Sequence, residues 1–232
     1  VALIFPAHRF NPSTVKVSLV GNVVTSPATI SGAVQVLRTD GGGLMRVDMS
    51  GIVIRTPEQI RKWRAWIGEL GGGTTVVRVP VVDIRRAPMA MAGQRLNKPV
   101  VVRNTDVDPW FSEASPYGPN RAIVATISAS ALRARQATIT IAKGSPVHGG
   151  EYFGILYADG TSRVHMIKRV LSRSGFAAVV TFEPPLRAAV SDNTPVDFEW
   201  PCFSGRLVPD GDYAPEISLN HGSTSISFIE AF

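Results

Sequence analysis

The sequence predicts a mainly β protein carrying one amphipathic helix. Three observations lead there. Apolar residues recur with period two in segment after segment, one stretch alone switches to a period near 3.6, and glycine- and proline-rich turns separate the segments. With 232 residues, 44% of them hydrophobic, 21 Gly and 17 Pro, the chain suffices for one large domain or two small ones with a real core.

Taken in order, Val1–Phe5 is apolar but lacks the basic start and long apolar stretch of a signal peptide. It reads as an initial strand or as an arm that docks on a neighbour. Val15, Val17 and Leu19 share one face of a strand, with Lys16 and Ser18 on the other. Val34 and Val36 alternate likewise, as do Met45, Val47 and Met49 opposite Leu44, Arg46 and Asp48. Gly41-Gly42-Gly43 lies between these two runs and reads as a hairpin loop.

The helix is predicted over Pro57–Leu70. Thr56 suits the N-cap, Pro57 the first turn, and Gln59 completes a capping-box spacing. Ile60, Trp63, Ile67 and Leu70 make one apolar stripe, opposed by Arg61, Lys62, Arg64 and Glu69, and Gly71-Gly72-Gly73 ends it. Trp63 and Trp66 are expected to pack on a sheet, with Trp66, slightly off the stripe, also an interface candidate. A strand over Val76–Val82 follows, then an irregular stretch, Arg85–Asn120, of the kind that serves as linker or interaction loop. Strands resume at Ala122–Ser128 and Ala137–Ala142. Tyr152–Phe182 reads as a three-stranded meander, turned first at Asp159-Gly160 and then at Ser172-Arg173-Ser174-Gly175. Ile226 and Phe228, alternating with Ser225 and Ser227, form a last strand.

No element of catalytic machinery emerges. The lone Cys202, between Trp200-Pro201 and Phe203, excludes an intrachain disulfide and reads as a small buried hydrophobe. His8, His148, His165 and His221 are scattered without metal-ligand spacing. Asp106, Asp108 and Glu113 lack the remainder of a calcium loop, and Asp210 and Asp212 around Gly211 read as turn residues. There is no Gly-x-Ser-x-Gly, no phosphate-binding loop and no Cys/His pair. The expectation is no enzyme, no metal and no cofactor.

Charge is uneven. Residues 1–100 hold 13 Lys/Arg against 5 Asp/Glu, residues 101–200 hold 10 against 9, and the last 32 hold 1 against 4. The cations are scattered along strands without aromatic interleaving, which argues against sequence-specific nucleic-acid binding. No run approaches the roughly 20 apolar residues of a membrane span.

One block carries a resemblance. Gly144-Ser145-Pro146-Val147 leads into a strand, a hairpin follows at Asp159-Gly160, and a strand runs into Glu183-Pro184-Pro185-Leu186-Arg187. Val196–Pro201 then leads to Gly205-Arg206-Leu207, and the chain closes on Ile226-Ser227-Phe228-Ile229-Glu230. With the aromatic helix and Val-rich strand upstream, this resembles the distal tail protein family of siphophage tail tips. The resemblance implies a β-sandwich belt domain built from residues 1–90 and 201–232, with a small β-barrel or sandwich domain, residues 91–200, inserted and projecting. It implies a structural virion protein, assembled in the bacterial host cytoplasm, whose homo-oligomeric ring, commonly a hexamer, joins the tail tube protein to hub and fibre proteins. A host surface glycan is the further partner implied for the projecting domain. Phe5, Trp66, Trp110, Phe111 and Arg187 are the candidate interface residues, large aromatics and Arg being frequent interface anchors. The alternatives are a carbohydrate- or receptor-binding β module using Trp110, Phe111 and Tyr117, or another tail-tube or head–tail joining protein.

Overall fold

Two hydrophobic cores organise this mainly β chain, one under an open antiparallel sheet and one inside a closed barrel. The structure is a computed structural model and describes residues 3–21, 23–27, 30–32, 34–38, 41–81, 100–101, 114–115, 123–209, 211, 213–217 and 222–231. A one-turn helix α1 (Ala7–Phe10) precedes β1 (Thr14–Val20), β2 (Val23–Thr25), β3 (Val36–Arg38) and β4 (Leu44–Ile54). Helix α2 (Pro57–Leu70), a 3-10 turn (Gly71–Gly73) and β5 (Val77–Pro80) follow. After the short β6 (Val100–Val101) and β7 (Ala114–Ser115) come β8 (Val124–Ile127), β9 (Gln136–Lys143), β10 (Tyr152–Leu156), β11 (Ser162–Ser174), β12 (Ala177–Glu183) and β13 (Thr194–Asp197). The chain ends with β14 (Cys202–Leu207), β15 (Glu216–Ile217) and β16 (Gly222–Glu230).

The open sheet runs β1-β4-β16-β14-β5, with β15 beside one end of β16. Its period-two pattern decides which face is covered. Met45, Val47, Met49, Ile226 and Phe228 are buried on one side, where α2 packs. The helix spans the predicted residues, with Thr56 Oγ1 accepting from Gln59 N at 3.2 Å and Gln59 Oε1 accepting from Thr56 N at 3.3 Å. Gly71 closes it in the left-handed region at φ 52°. Its buried stripe differs from the predicted one. Trp63, Trp66 and Leu70 are fully buried, whereas Ile60 and Ile67 are half-buried flanks. The two indoles need the deepest part of the sheet, so the helix is rolled to put Trp66 inward.

The N-terminal segment completes this core and docks on its own chain. Leu3 O accepts from Arg78 N at 2.7 Å and Phe5 N donates to Arg78 O at 2.9 Å, so residues 3–5 run beside β5. Phe5 then sits among Phe228, Trp66 and Phe10, at ring-centroid distances of 4.9, 5.7 and 5.7 Å.

Between β5 and β14 the chain builds the barrel, closed in the order β10-β11-β12-β9-β8-β13. Asp159-Gly160 turns β10 into β11 as predicted; Asp159 Oδ1 accepts from Thr161 N (2.8 Å) and Oγ1 (2.7 Å). The second turn is shorter than predicted. Ser172–Ser174 continue β11, Ser174 pairs with Ala177, and only Gly175 and Phe176 form the loop. Gly175 supplies the φ of 57° that so tight a reversal requires.

A second correction concerns Gly41-Gly42-Gly43. It does not close a hairpin between β3 and β4, because β3 pairs with β2, and β4 pairs with β1 and β16. Gly42 instead presses against Pro185, whose Cδ a Cβ would approach to 2.3 Å, and a Cβ on Gly41 would meet Arg187 Nη1 at 3.0 Å. Most of Arg85–Asn120, including the acidic trio and Trp110-Phe111, lies outside the described residues.

Candidate functional site

Two features stand out once the fold is laid down: a charged junction between sheet and barrel, and an exposed apolar ribbon. The junction begins where the chain leaves and rejoins the sheet. Val81 N donates to Pro201 O at 2.8 Å, and Ile123 N donates to Glu199 Oε1 at 2.8 Å, which ties the two crossings side by side. Gly154 of β10 lies against the return crossing, where a Cβ would meet Pro201 Cα at 3.0 Å and Cys202 N at 3.2 Å. Ser162 N donates to Ser204 Oγ at 2.9 Å, linking β11 to β14. Val164, also from β11, is buried in the core of the open sheet.

At the centre of the junction stands Glu230, the last residue of β16, its side chain 1% exposed. Oε1 accepts from Arg163 Nη1 at 3.2 Å, Oε2 accepts from Met45 N at 2.9 Å, and Arg187 Nη2 lies 3.7 Å from Oε2. Arg163 also donates to Ala231 O, and Arg187 to the carbonyls of Gly41 and Gly43. One carboxylate of the sheet therefore faces two guanidiniums of the barrel, and backbone carbonyls take up further donors. A buried charge is tolerated only when paired and hydrogen-bonded in this way. The arrangement explains the glycine triplet, whose carbonyls must reach a guanidinium with no side chains between.

Beside it, His165 is fully buried between Phe153 and Phe182, with centroid distances of 5.3 and 5.4 Å. Its Nδ1 is 2.7 Å from Pro184 O, an acceptor, so Nδ1 carries the proton and Nε2 faces a site without a partner among the described residues. Burial lowers its pKa to about 4, opposed by the Pro184 hydrogen bond and reinforced by Arg187 and Arg163. His165 is thus a neutral core imidazole. Burial likewise pushes the Cys202 thiol well above its ordinary range, and its Sγ contacts Trp200 O at 3.3 Å. Burial also raises Glu151, with an opposing hydrogen bond from His148 N.

The sequence-derived interface candidates scatter. Phe5 and Trp66 are 1% and 0% exposed and belong to the chain's own aromatic core. Arg187 is committed to the junction. Trp110 and Phe111 lie outside the described residues, as does Tyr117. The surface that residue-by-residue reading missed is the β2–β3 ribbon. It pairs Val24 with Leu37 and Thr25 with Val36, and neither strand pairs with another sheet among the described residues. Val23, Val24, Val34, Val36 and Leu37 are each 49–59% exposed, and Ile30 near the tip is fully so. Its available signal was that Val23-Val24 and Val36-Leu37 set apolar residues at consecutive positions, so that neither face of the ribbon is wholly polar. A two-stranded ribbon by itself is marginal in water, and contiguous exposed apolar surface marks an interaction site.

Among the described residues, no group of three or more His, Cys, Asp and Glu side chains is placed to hold a metal ion. No helix among them is long and apolar enough to cross a membrane. No protein-family model matches the chain, and no curated protein matches it.

Proposed function

We propose that this chain is a structural, non-enzymatic subunit of a siphophage tail tip. In this reading it assembles into a closed ring, six copies in the expected form, that joins the tail tube to the hub and fibre proteins. The open sheet with α2 is the belt that forms the ring, and the barrel is the domain that projects from it. The observation that carries the proposal is the β2–β3 ribbon. Its valines and Leu37 stay exposed in the single chain, as a surface buried only on assembly would be. A second copy is the natural occupant in a ring, where one surface of each subunit meets a different surface of the next. The rigid junction fits the same role, because a projecting domain locked by two guanidiniums keeps one orientation around the ring.

The test is the mass of the purified protein and of a ribbon variant, Val24→Lys with Leu37→Lys. A ring in the wild type that the variant loses, with its fold intact, supports the reading. A wild type that stays strictly monomeric at high concentration and beside tail tubes ends it.

A further inference from the structure

A groove between α2 and the segment linking β14 to β15 takes no part in the junction or the ribbon. It has a volume of about 520 Å³, within the range of small-ligand sites. Helical spacing builds one wall. Trp63 and Ile67 stand one turn apart on α2, with the exposed Arg64 beside them. Leu207, Val208, Pro209, Ala214 and Pro215 form the other wall.

The second wall is held in place before any ligand arrives. Trp63 Nε1 donates to Tyr213 O at 2.9 Å, and Tyr213 Oη donates to Val208 O at 2.6 Å. Gly211 lets the ring of Tyr213 lie on the loop, since a Cβ there would come within 2.2 Å of its Cζ. The same bonds use up polar groups of the groove. Val208 N is also committed, donating to Ser227 O at 2.9 Å, and Pro209 and Pro215 have no N–H. An extended peptide or a sugar finds few hydrogen-bonding partners in such a groove, whereas an alkyl chain needs none. One strong polar group remains. The Arg64 guanidinium makes no hydrogen bond or ion pair with another described residue. No carboxylate is among the described lining residues, so the groove favours an apolar body carrying one negative charge.

We infer that this groove is a binding site for a medium-chain fatty acid anion. The alkyl chain lies between Trp63 and Ile67 on one side and Pro209 and Pro215 on the other, and the carboxylate meets the Arg64 guanidinium. The site goes beyond the assembly reading and does not rest on it, since both walls belong to one chain.

The test is calorimetric titration of the full chain at low salt, with each amphiphile below its micelle concentration. The probes are decanoate, hexanoate, decanol and a capped peptide of leucines around one glutamate. Decanoate should bind at least about tenfold tighter than hexanoate, each buried methylene being worth about three- to fourfold. It should also bind at least as tightly as decanol. An apolar groove without a cation would reverse that order, because a carboxylate costs far more to desolvate than a hydroxyl. Arg64→Gln should weaken decanoate by about three- to tenfold and leave decanol unchanged, which a merely structural role would not do. Ala214→Trp, at an exposed position, should fill the groove and weaken both ligands by about tenfold, the scale of two methylenes kept in water, with circular dichroism unchanged. Absence of decanoate binding, equal binding of hexanoate, tighter binding of decanol or of the peptide, or indifference to both substitutions in a folded protein would overturn the inference.

Discussion

Replacing Glu230 by Gln removes the one anion that two barrel guanidiniums share, and its cost can be worked from the geometry. The three side chains are 1%, 5% and 13% exposed for Glu230, Arg163 and Arg187, so solvent screening is slight. Breaking a buried pair from one side costs about 3–5 kcal/mol, because the remaining charge stays desolvated. The amide that replaces the carboxylate would keep an acceptor for Met45 N, so the loss isolates charge from the backbone hydrogen bond. At about 2–4 °C per kcal/mol for a chain of this size, the melting temperature should fall by roughly 6–20 °C. Urea unfolding and calorimetry measure both quantities. Arg163→Met should cost less in the Glu230→Gln background than in the wild type, since the members of one network are coupled. A Glu230→Gln protein that melts within about 2 °C of wild type, or strict additivity with Arg163→Met, would refute the reading of the junction.

Three further outcomes follow from the cores. His165 binds its proton less readily folded (pKa about 4) than unfolded (about 6.5), so its contribution is complete above pH 6.5 and is lost as pH falls toward 4. From pH 7.5 to 4.5 that group alone removes about 2–3 kcal/mol, and His165→Phe should lose correspondingly less over the same range; parallel urea midpoints would contradict this. Trp66→Ala should destabilise by about 3–5 kcal/mol at any protein concentration, because the indole is wholly inside its own chain; a loss below about 1 kcal/mol by urea titration would return it to the interface candidates. Cys202, its thiol held protonated by burial, should react with an aromatic disulfide reagent slowly when native and quickly in urea, and fast native labelling would count against that burial.

Much of the fold was legible in the sequence because it rests on local rules. The helix from Pro57 to Leu70 follows from a capping box and a glycine stop, and the alternation of Met45, Val47 and Met49 marks a buried face before any partner strand is known. What was not legible depends on distant pairing. Whether Gly41–Gly43 closes a hairpin or offers carbonyls to Arg187, 144 residues further on, is decided by barrel closure and leaves no local mark. The rolling of α2 toward Trp66 likewise reflects the space that Phe5 and Phe228 leave, which periodicity does not encode. Lys168-Arg169 looks like two residues on opposite faces of a strand until a bulge turns both outward. The candidate site followed the same division. Arg187 stands out by residue type, but as a subunit contact rather than a junction residue, while the apolar ribbon was hidden because exposed and buried strands share one composition.

The most direct measurement is mass photometry of the wild-type protein beside Val24→Lys/Leu37→Lys. Both positions are more than half exposed and lie outside the two cores, so the cost of the two facing lysines should stay within the ribbon and leave the global unfolding of the chain close to wild type. A discrete closed oligomer is expected for the wild type, six copies in its expected form, and a folded monomer for the variant. A wild type that remains monomeric at every concentration and beside tail tubes, or a variant that assembles as well as the wild type, would contradict the ring.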